Sequence, residues 1–319
     1  QHDGQRRQKL EATMIVNMDG TTSSKIGKKL QDLREDGGVV ALGRVLTLII
    51  ETKTAELETA IAAANGASRL HPSRIIVLVS DLKEQTDKSR LDAEIRIGGD
   101  AGASEVVVIR AFGKAHANTE SIVTGLLLPD APVVSWWPSE CTANPAANPI
   151  GRIASRRITD SGNQSDPKSF LEELAKNYQP GDGDLAWTRL TLWRSQLAAA
   201  MDGHLDKAAS SAEVIGSSQS PSTMLLVSWL ALKLGVDVQV LPDMDSEAVE
   251  GIAGVRIFFD EEVLSVIRTG GSATITQTGF PQSSVLLPKR SDQDCLIEDM
   301  RFLGEDAVYG EVLAHGRLP

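Results

Sequence analysis

The glycine-rich stretch Gly98-Gly99-Asp100-Ala101-Gly102-Ala103-Ser104 comes nearest to a phosphate nest in this sequence, because successive backbone N–H groups freed by glycine can converge on an anion. Gly98, Gly99, Gly102 and Ser104 would be its binding residues. The same stretch also reads as a loop between two strands, and Asp100 inside it favours the loop. Stronger phosphate signatures do not occur. No Gly-x4-Gly-Lys-Ser/Thr loop is present to set amides and a lysine around phosphates. No GxGxxG joins the first strand to its helix. That junction is Glu51-Thr52-Lys53-Thr54-Ala55-Glu56, whose carboxylates would repel a pyrophosphate.

Other chemistries fare no better. There is no GxSxG elbow for a serine hydrolase. Ser165-Asp166-Pro167-Lys168 satisfies SxxK by letter, but Pro167 and its loop setting mark a chance match. His2, His71, His116, His204 and His315 share no ligand spacing, and His71 beside Pro72 reads as a structural loop residue. Asp182-x-Asp184 lacks the other ligands of a calcium loop, so Asp184 reads better as a helix cap. Cys141 and Cys295 form no CxxC, which argues against structural zinc and a disulfide framework. No nucleophile, general base or metal site emerges, and the expectation is a protein that is not an enzyme and needs no cofactor.

A different pattern lies mid-chain. Trp136, Trp137, Trp187 and Trp193 fall near Arg156, Arg157, Arg189 and Arg194, and Trp and Arg are the side chains most enriched where proteins bind one another. This belt is the candidate partner-binding set. The competing reading is intramolecular, with the arginines in internal ion pairs. On a strand, Trp136 and Trp137 should point to opposite faces, one to the core and one away from it.

The elements that would carry these residues follow from periodicity. Ser23 or Ser24 caps a helix with Ile26, Leu30 and Leu33 on one face, and Gly37-Gly38 stops it. Strand 45–51, a helix through Leu57, Ala60, Ile61 and Ala64, and strand 75–79 compose a βαβ unit, hence parallel pairing and a right-handed crossover. Strands 93–97, 105–110 and 132–137 and a helix over 118–128 complete a first α/β domain, with helices over 169–176 and 184–202 extending it to Gly203. After a soft linker at 204–212, Ser220 and Pro221 open a buried helix that Gly235 closes. Strands follow at 236–241, 254–259, 264–268, 273–278 and 285–287, with Thr269-Gly270-Gly271-Ser272 as a hairpin turn and a helix over 292–303. The expected organisation is a polar tail at 1–13, either appended or disordered; an N-terminal α/β domain with a βαβ-containing mixed sheet at 14–203; and a smaller, more strand-rich C-terminal α/β domain at 204–319.

Length and composition agree with that plan. The 319 residues, at about 150 per domain, are 41% hydrophobic and 24% charged, which excludes disorder, collagen-like fibres and disulfide-stapled miniproteins. The net charge of −11 and 4% aromatics oppose a nucleic-acid binder or an anionic-membrane binder. No run approaches the ~20 apolar residues of a membrane span, and residues 1–13 lack the apolar core of a secretory signal. The acidity is concentrated: residues 204–319 hold 8 basic and 17 acidic side chains, the remainder 24 and 26.

Several long motifs occur in order: Gly43-Arg44-Val45-Leu46-Thr47-Leu48; His71-Pro72-Ser73-Arg74; 96–104; Leu126-Leu127-Leu128-Pro129-Asp130-Ala131-Pro132 with Trp136-Trp137-Pro138; Arg156-Arg157-Ile158-Thr159-Asp160; and Trp187-Thr188-Arg189-Leu190 with Trp193-Arg194. The series resembles the OpcA family of glucose-6-phosphate dehydrogenase assembly proteins in its actinobacterial form. The last third matches through its 221–235 helix and Arg290-Ser291-Asp292-Gln293-Asp294-Cys295-Leu296. The resemblance implies a cytoplasmic, non-catalytic protein that binds glucose-6-phosphate dehydrogenase, promotes its active oligomer and so acts as an allosteric activator at the entrance to the oxidative pentose phosphate pathway. Some relatives are linked to redox control through cysteines. The alternative is an enzyme or sensor that holds a sugar phosphate or nucleotide at residues 98–104.

Overall fold

Continuous apolar runs pair as buried strands, and short connections leave them little choice of partner. The computed structural model describes residues 14–37, 45–82, 88–98, 105–204, 206–242 and 251–315. It is an α/β protein with two mixed sheets. Contacts divide the chain into two units, Gln1–Thr159 with Asp292–Gly304, and Asp160–Ser291 with Glu305–Pro319. The boundary expected at 203/204 falls inside the second unit. Asp160 explains why residues just past Thr159 go there: its carboxylate takes both Nη groups of Arg189, at 2.9 and 2.7 Å.

The first unit holds β1 (Met14–Met18), β2 (Leu46–Thr52), β3 (Ser73–Val79), β4 (Arg90–Ile97), β5 (Glu105–Phe112), β6 (Val133–Trp136) and β7 (Arg156–Thr159). Their order across the sheet is β1-β4-β5-β3-β2-β6-β7. β2 and β3 pair in parallel from Leu46↔Ser73 to Thr52↔Val79, as the βαβ reading requires. β5, β6 and β7 extend the parallel set, and β4 and β1 add antiparallel strands at one edge. On one face, Ile49, Ile76, Val107 and Ile109 pack with Ile26 and Leu30 of the Ser23–Gly37 helix and with Val123 of the Thr119–Thr124 helix. Leu48, Ile50, Ile75 and Val77 point the other way and are equally buried. The Leu57–Ser68 helix crosses β2 and β3 and packs on the Asp292–Arg301 helix. Strands β1 and β7 lie outside the sequence reading, because five and four residues carry too little periodicity. The helix expected over 118–128 shrinks to Thr119–Thr124.

A charge network ties this unit's surface. Arg96 donates through both Nη groups to Glu58, at 2.8 and 2.7 Å, and through Nε to Glu94 at 2.6 Å. The Arg96 hydrogen bonds hold the Glu58 carboxyl below its usual range. A lowered folded-state value stabilises above the ordinary carboxylate range, and that contribution fades as pH falls through the lowered value. Glu58→Gln should therefore lower stability at pH 7, by at most about 1 kcal/mol as for exposed pairs. The gap to wild type should narrow in thermal melts as pH falls below the ordinary carboxylate range; a gap undiminished in acid would refute the ion pair as its source.

The second unit contains β8 (Asp182–Asp184), β9 (Ser211–Gly216), β10 (Val238–Leu241), β11 (Ile252–Phe259), β12 (Glu262–Thr269), β13 (Ser272–Gln277) and β14 (Ser283–Leu286). A six-stranded sheet runs β10-β9-β11-β12-β13-β14, parallel between β10 and β9 and antiparallel elsewhere. The turn at 269–272 closes β12 onto β13 with Thr269 opposite Ser272 and Gly270 at φ 62°. The Pro221–Leu234 helix links β9 to β10 and ends at Gly235, φ 69°, as its flanking residues predict. Met224, Leu225, Leu226, Val227 and Leu230 are all buried, since the helices Pro167–Asn177, Leu185–Thr188 and Ala307–His315 touch it from outside the sheet. The single helix expected over 184–202 is two, Leu185–Thr188 and Thr191–Met201. Asp184 caps the first, accepting the Ala186 N–H at 2.9 Å.

Candidate functional site

The tryptophan and arginine belt does not form an open face. Trp136, Trp137, Trp187 and Trp193 are at most 2% exposed, and Arg156 and Arg157 are also buried. The expectation that only one of Trp136 and Trp137 enters the core is corrected. Residues on both faces of that strand are covered, so alternation carries each ring into packed surroundings. Trp137 joins the cluster around Ile49 and donates its indole N–H to Glu51 at 2.8 Å. In the first unit, Arg156 forms a buried ion pair with Asp299, and Arg157 donates to the Ala154 carbonyl at 3.1 Å. In the second, Trp187 donates to Asp306 at 2.8 Å while the Arg194 guanidinium stacks on it 3.8 Å from the ring centre. Only Arg189 and Arg194 of the eight retain partial exposure.

The place where a doubly wound sheet would take a nucleotide is the β2–helix junction. Here Asp81 accepts the Thr54 N–H at 3.1 Å and the Thr54 hydroxyl at 2.8 Å. Glu51 accepts from Trp137 and from Asn148. The junction thus holds the protein's own carboxylates, as its sequence suggested. Of the glycine-rich stretch, Gly98 is described, at φ 76°, whereas Gly99, Gly102 and Ser104 lie outside the described residues. His71 pairs with the Ile297 carbonyl at 3.1 Å, a structural role. Cys141 is half-buried and Cys295 buried. Among the described residues, no group of three or more His, Cys, Asp or Glu could hold a metal ion. Nor is any of their helices long and apolar enough to cross a membrane.

Another feature of the second unit escaped the sequence reading. A cleft of about 530 Å³ opens where β9 passes into the Pro221–Leu234 helix. Among the described residues, its charged lining side chains are Arg189, Arg268, Lys289 and Arg290. Each cation arrives from a different local cause. Asp160 clamps Arg189. Arg290 is fixed by donating to the Thr188 carbonyl at 2.7 Å. Arg268, near the end of β12, lies 4.9 Å over the Trp193 ring and makes a long contact, 3.4 Å, with the Ile252 carbonyl. Burial pulls the Arg268 guanidinium below its usual range. Ser217, Ser220 and Ser222 add hydroxyls, the last donating to the Ala186 carbonyl at 2.9 Å. The chain can turn here because Gly216 has no side chain: a Cβ would sit 2.5 Å from the Gly251 carbonyl oxygen. Its sequence signals were the strand-to-helix junction before Pro221 and the adjacent Lys289-Arg290; Arg189 and Arg268 join them only through the fold.

Comparison with known proteins places residues 64–176 and 180–313. A family model from the OpcA family, described as the N-terminal domain of the glucose-6-phosphate dehydrogenase subunit, matches residues 64–176. Its companion, described as the C-terminal domain of the same subunit, matches residues 180–313. The chain belongs to the OpcA family. No curated protein matches it by sequence. Among solved structures, an oxidoreductase from Sinorhizobium meliloti is 9% identical, with a TM-score of 0.46 over 84% of this chain and 94% of its own. The UDP-N-acetylglucosamine 3-dehydrogenase of Acidithiobacillus ferrooxidans is 10% identical, TM-score 0.38, over 85% and 95%. Biliverdin reductase from Synechocystis sp. PCC 6803 is 10% identical, TM-score 0.40, over 85% and 96%. Likenesses this distant assign no chemistry to an OpcA chain.

Proposed function

We propose that this chain binds glucose-6-phosphate dehydrogenase and raises its activity by favouring the active assembly, without performing chemistry itself. The observation that carries this reading is the pair of family models, both named for glucose-6-phosphate dehydrogenase, that span most of residues 64–313. A protein that binds one assembly state better than another shifts the population by its differential affinity alone. The carboxylates at the end of β2 are in keeping with a role that needs no nucleotide there. Arg189 and Arg194 are the members of the belt with surface left to meet a partner. The remaining belt residues would support the interface through the fold.

The test mixes the two proteins and follows oligomer mass and NADP reduction together. A mixed complex with a raised rate is expected. If the dehydrogenase alone populates its active assembly to about one tenth, the gain can reach about tenfold. Absence of both complex and rate change, with each partner folded, would overturn the reading.

A further inference from the structure

We infer that the face of the six-stranded sheet that carries Glu213 and Arg256 binds the same face of a second copy of this chain, about a two-fold axis. The inference goes beyond association with the dehydrogenase and does not depend on it.

Alternation along the strands sorts the sheet's side chains onto two faces. On one, Val214, Val255, Val266 and Ile275 lie level across β9, β11, β12 and β13, and all four are buried. One residue along, the opposite face carries a polar row: Gln239 of β10, Glu213 of β9, Arg256 of β11, Ser265 of β12 and Thr276 of β13. The Arg256 and Glu213 side chains are 42% and 23% exposed, and Gln239 and Thr276 are exposed as well. Beside this row runs an apolar one, Leu241, Ile215, Gly254 and Ile267, whose three side chains are partly exposed. A Cβ on Gly254 would stand 2.6 Å from Cδ1 of Ile267 and 3.2 Å from Cδ1 of Ile215. The two isoleucines therefore lean together over the glycine and make the strip level.

Charge selects the occupant. Glu213 and Arg256 meet through a contact of 3.4 Å from Arg256 Nη1 to the carboxylate, the long end of a hydrogen bond. A guanidinium has five donors and a carboxylate about four acceptor sites, so both groups have capacity for a second partner. A face with adjacent charges of opposite sign is complementary to itself. With a two-fold axis along the strands, midway between β9 and β11, Glu213 of each copy lies over Arg256 of the other, and two reciprocal ion pairs form. The same axis exchanges β10 with β12, so Leu241 of one copy meets Ile267 of the other and Ile215 covers Gly254. An axis at right angles, along the polar row, would instead set Glu213 on Glu213 and Arg256 on Arg256.

The favoured axis keeps the strands of the two sheets nearly aligned, the common geometry for sheets stacked about 10 Å apart. An isologous contact of this kind closes at two copies. Its overlap spans the four strands β10, β9, β11 and β12, which places it with the smaller, reversible interfaces.

The experiment is sedimentation of this chain alone, from about 1 to 100 μM, the range for an interface of micromolar strength. The mass should rise from the 34.2 kDa of one chain toward twice that value. Glu213→Arg and Arg256→Glu should each weaken self-association by about a hundredfold or more, because like charges then face each other at two places. Mixing these two variants should restore a dimer, since one face is then doubly positive and the other doubly negative. Ser265→Arg leaves the Glu213 and Arg256 pair intact and sets a bulky charge on the neighbouring strand. It should also give a monomer, and it keeps the test valid if the charge reversals unfold. Three results would overturn the inference: a wild-type monomer throughout, a dimer that persists in any folded single variant, or a mixture of the two folded charge reversals that stays monomeric. A wild-type monomer whose Arg256→Glu form loses the dehydrogenase would assign this face to the dehydrogenase. That outcome would overturn the second copy as its occupant while leaving association with the dehydrogenase standing.

Discussion

Asp299→Ala should destabilise the first unit by about 3–5 kcal/mol, the cost of removing one member of a buried ion pair. Arg156 and Asp299 are each 4% exposed, and their charges meet directly. Arg156 also reaches the Gly304 carbonyl at 3.4 Å, too long to replace a carboxylate. Truncating Asp299 leaves a guanidinium buried without its counter-charge, and water cannot reach it without opening the packing. At about 2–4 °C per kcal/mol for a unit of this size, the melting midpoint should fall by roughly 10 °C. The double variant Arg156→Met with Asp299→Leu should recover most of the loss, because apolar groups in place of a buried pair are often neutral or better. Urea and thermal melts check both. An Asp299→Ala protein as stable as wild type would refute the pair's importance, as would a double variant no better than the single.

Trp187→Ala is expected to cost about 3–5 kcal/mol in the second unit, in the range for a buried tryptophan. The ring is packed on Tyr309, with centroids 5.5 Å apart, and roofed by Arg194. Its N–H satisfies Asp306, which also caps the last helix by accepting the Tyr309 N–H at 3.0 Å. Trp187→Phe separates these terms: it keeps most of the packing and removes one donor, at about 1–3 kcal/mol. Circular dichroism melts measure stability, and co-purification with the dehydrogenase measures association. If Trp187→Ala keeps full stability but loses the dehydrogenase, the tryptophan meets the partner and the packing account fails. Loss of stability with association retained below the new melting point is the expected outcome.

Both results concern residues that the sequence singles out without revealing their use. Trp and Arg are enriched at interfaces, but the same large surface and forked donors serve a core. The choice rests on what lies opposite. For Arg156 that is Asp299, and for Trp187 it is Asp306, partners more than a hundred residues away in each case.

Local signals, by contrast, were sufficient wherever the deciding interaction spans a few residues. Pro221 and Gly235 bound their helix because each fixes a backbone angle at its own position. The hairpin at Gly270-Gly271 and the parallel β2–β3 pair follow from glycine's tolerance of positive φ and from the short crossover. The α/β class with its two mixed sheets and the family were likewise legible in the chain itself, from apolar periodicity and motif order. The break at Arg189-Leu190 was not, since 184–202 has helical residues throughout. Nor was the cleft, whose cations converge from Arg189, Arg268 and Lys289-Arg290. Sequence by itself determined most of the elements and the kinship of this protein, because propensity, capping and periodicity act within a turn or a strand. Which charges are buried, paired or left facing a cavity was decided only when β9, β12 and the helices came together, because desolvation and Coulomb energy depend on distances in space.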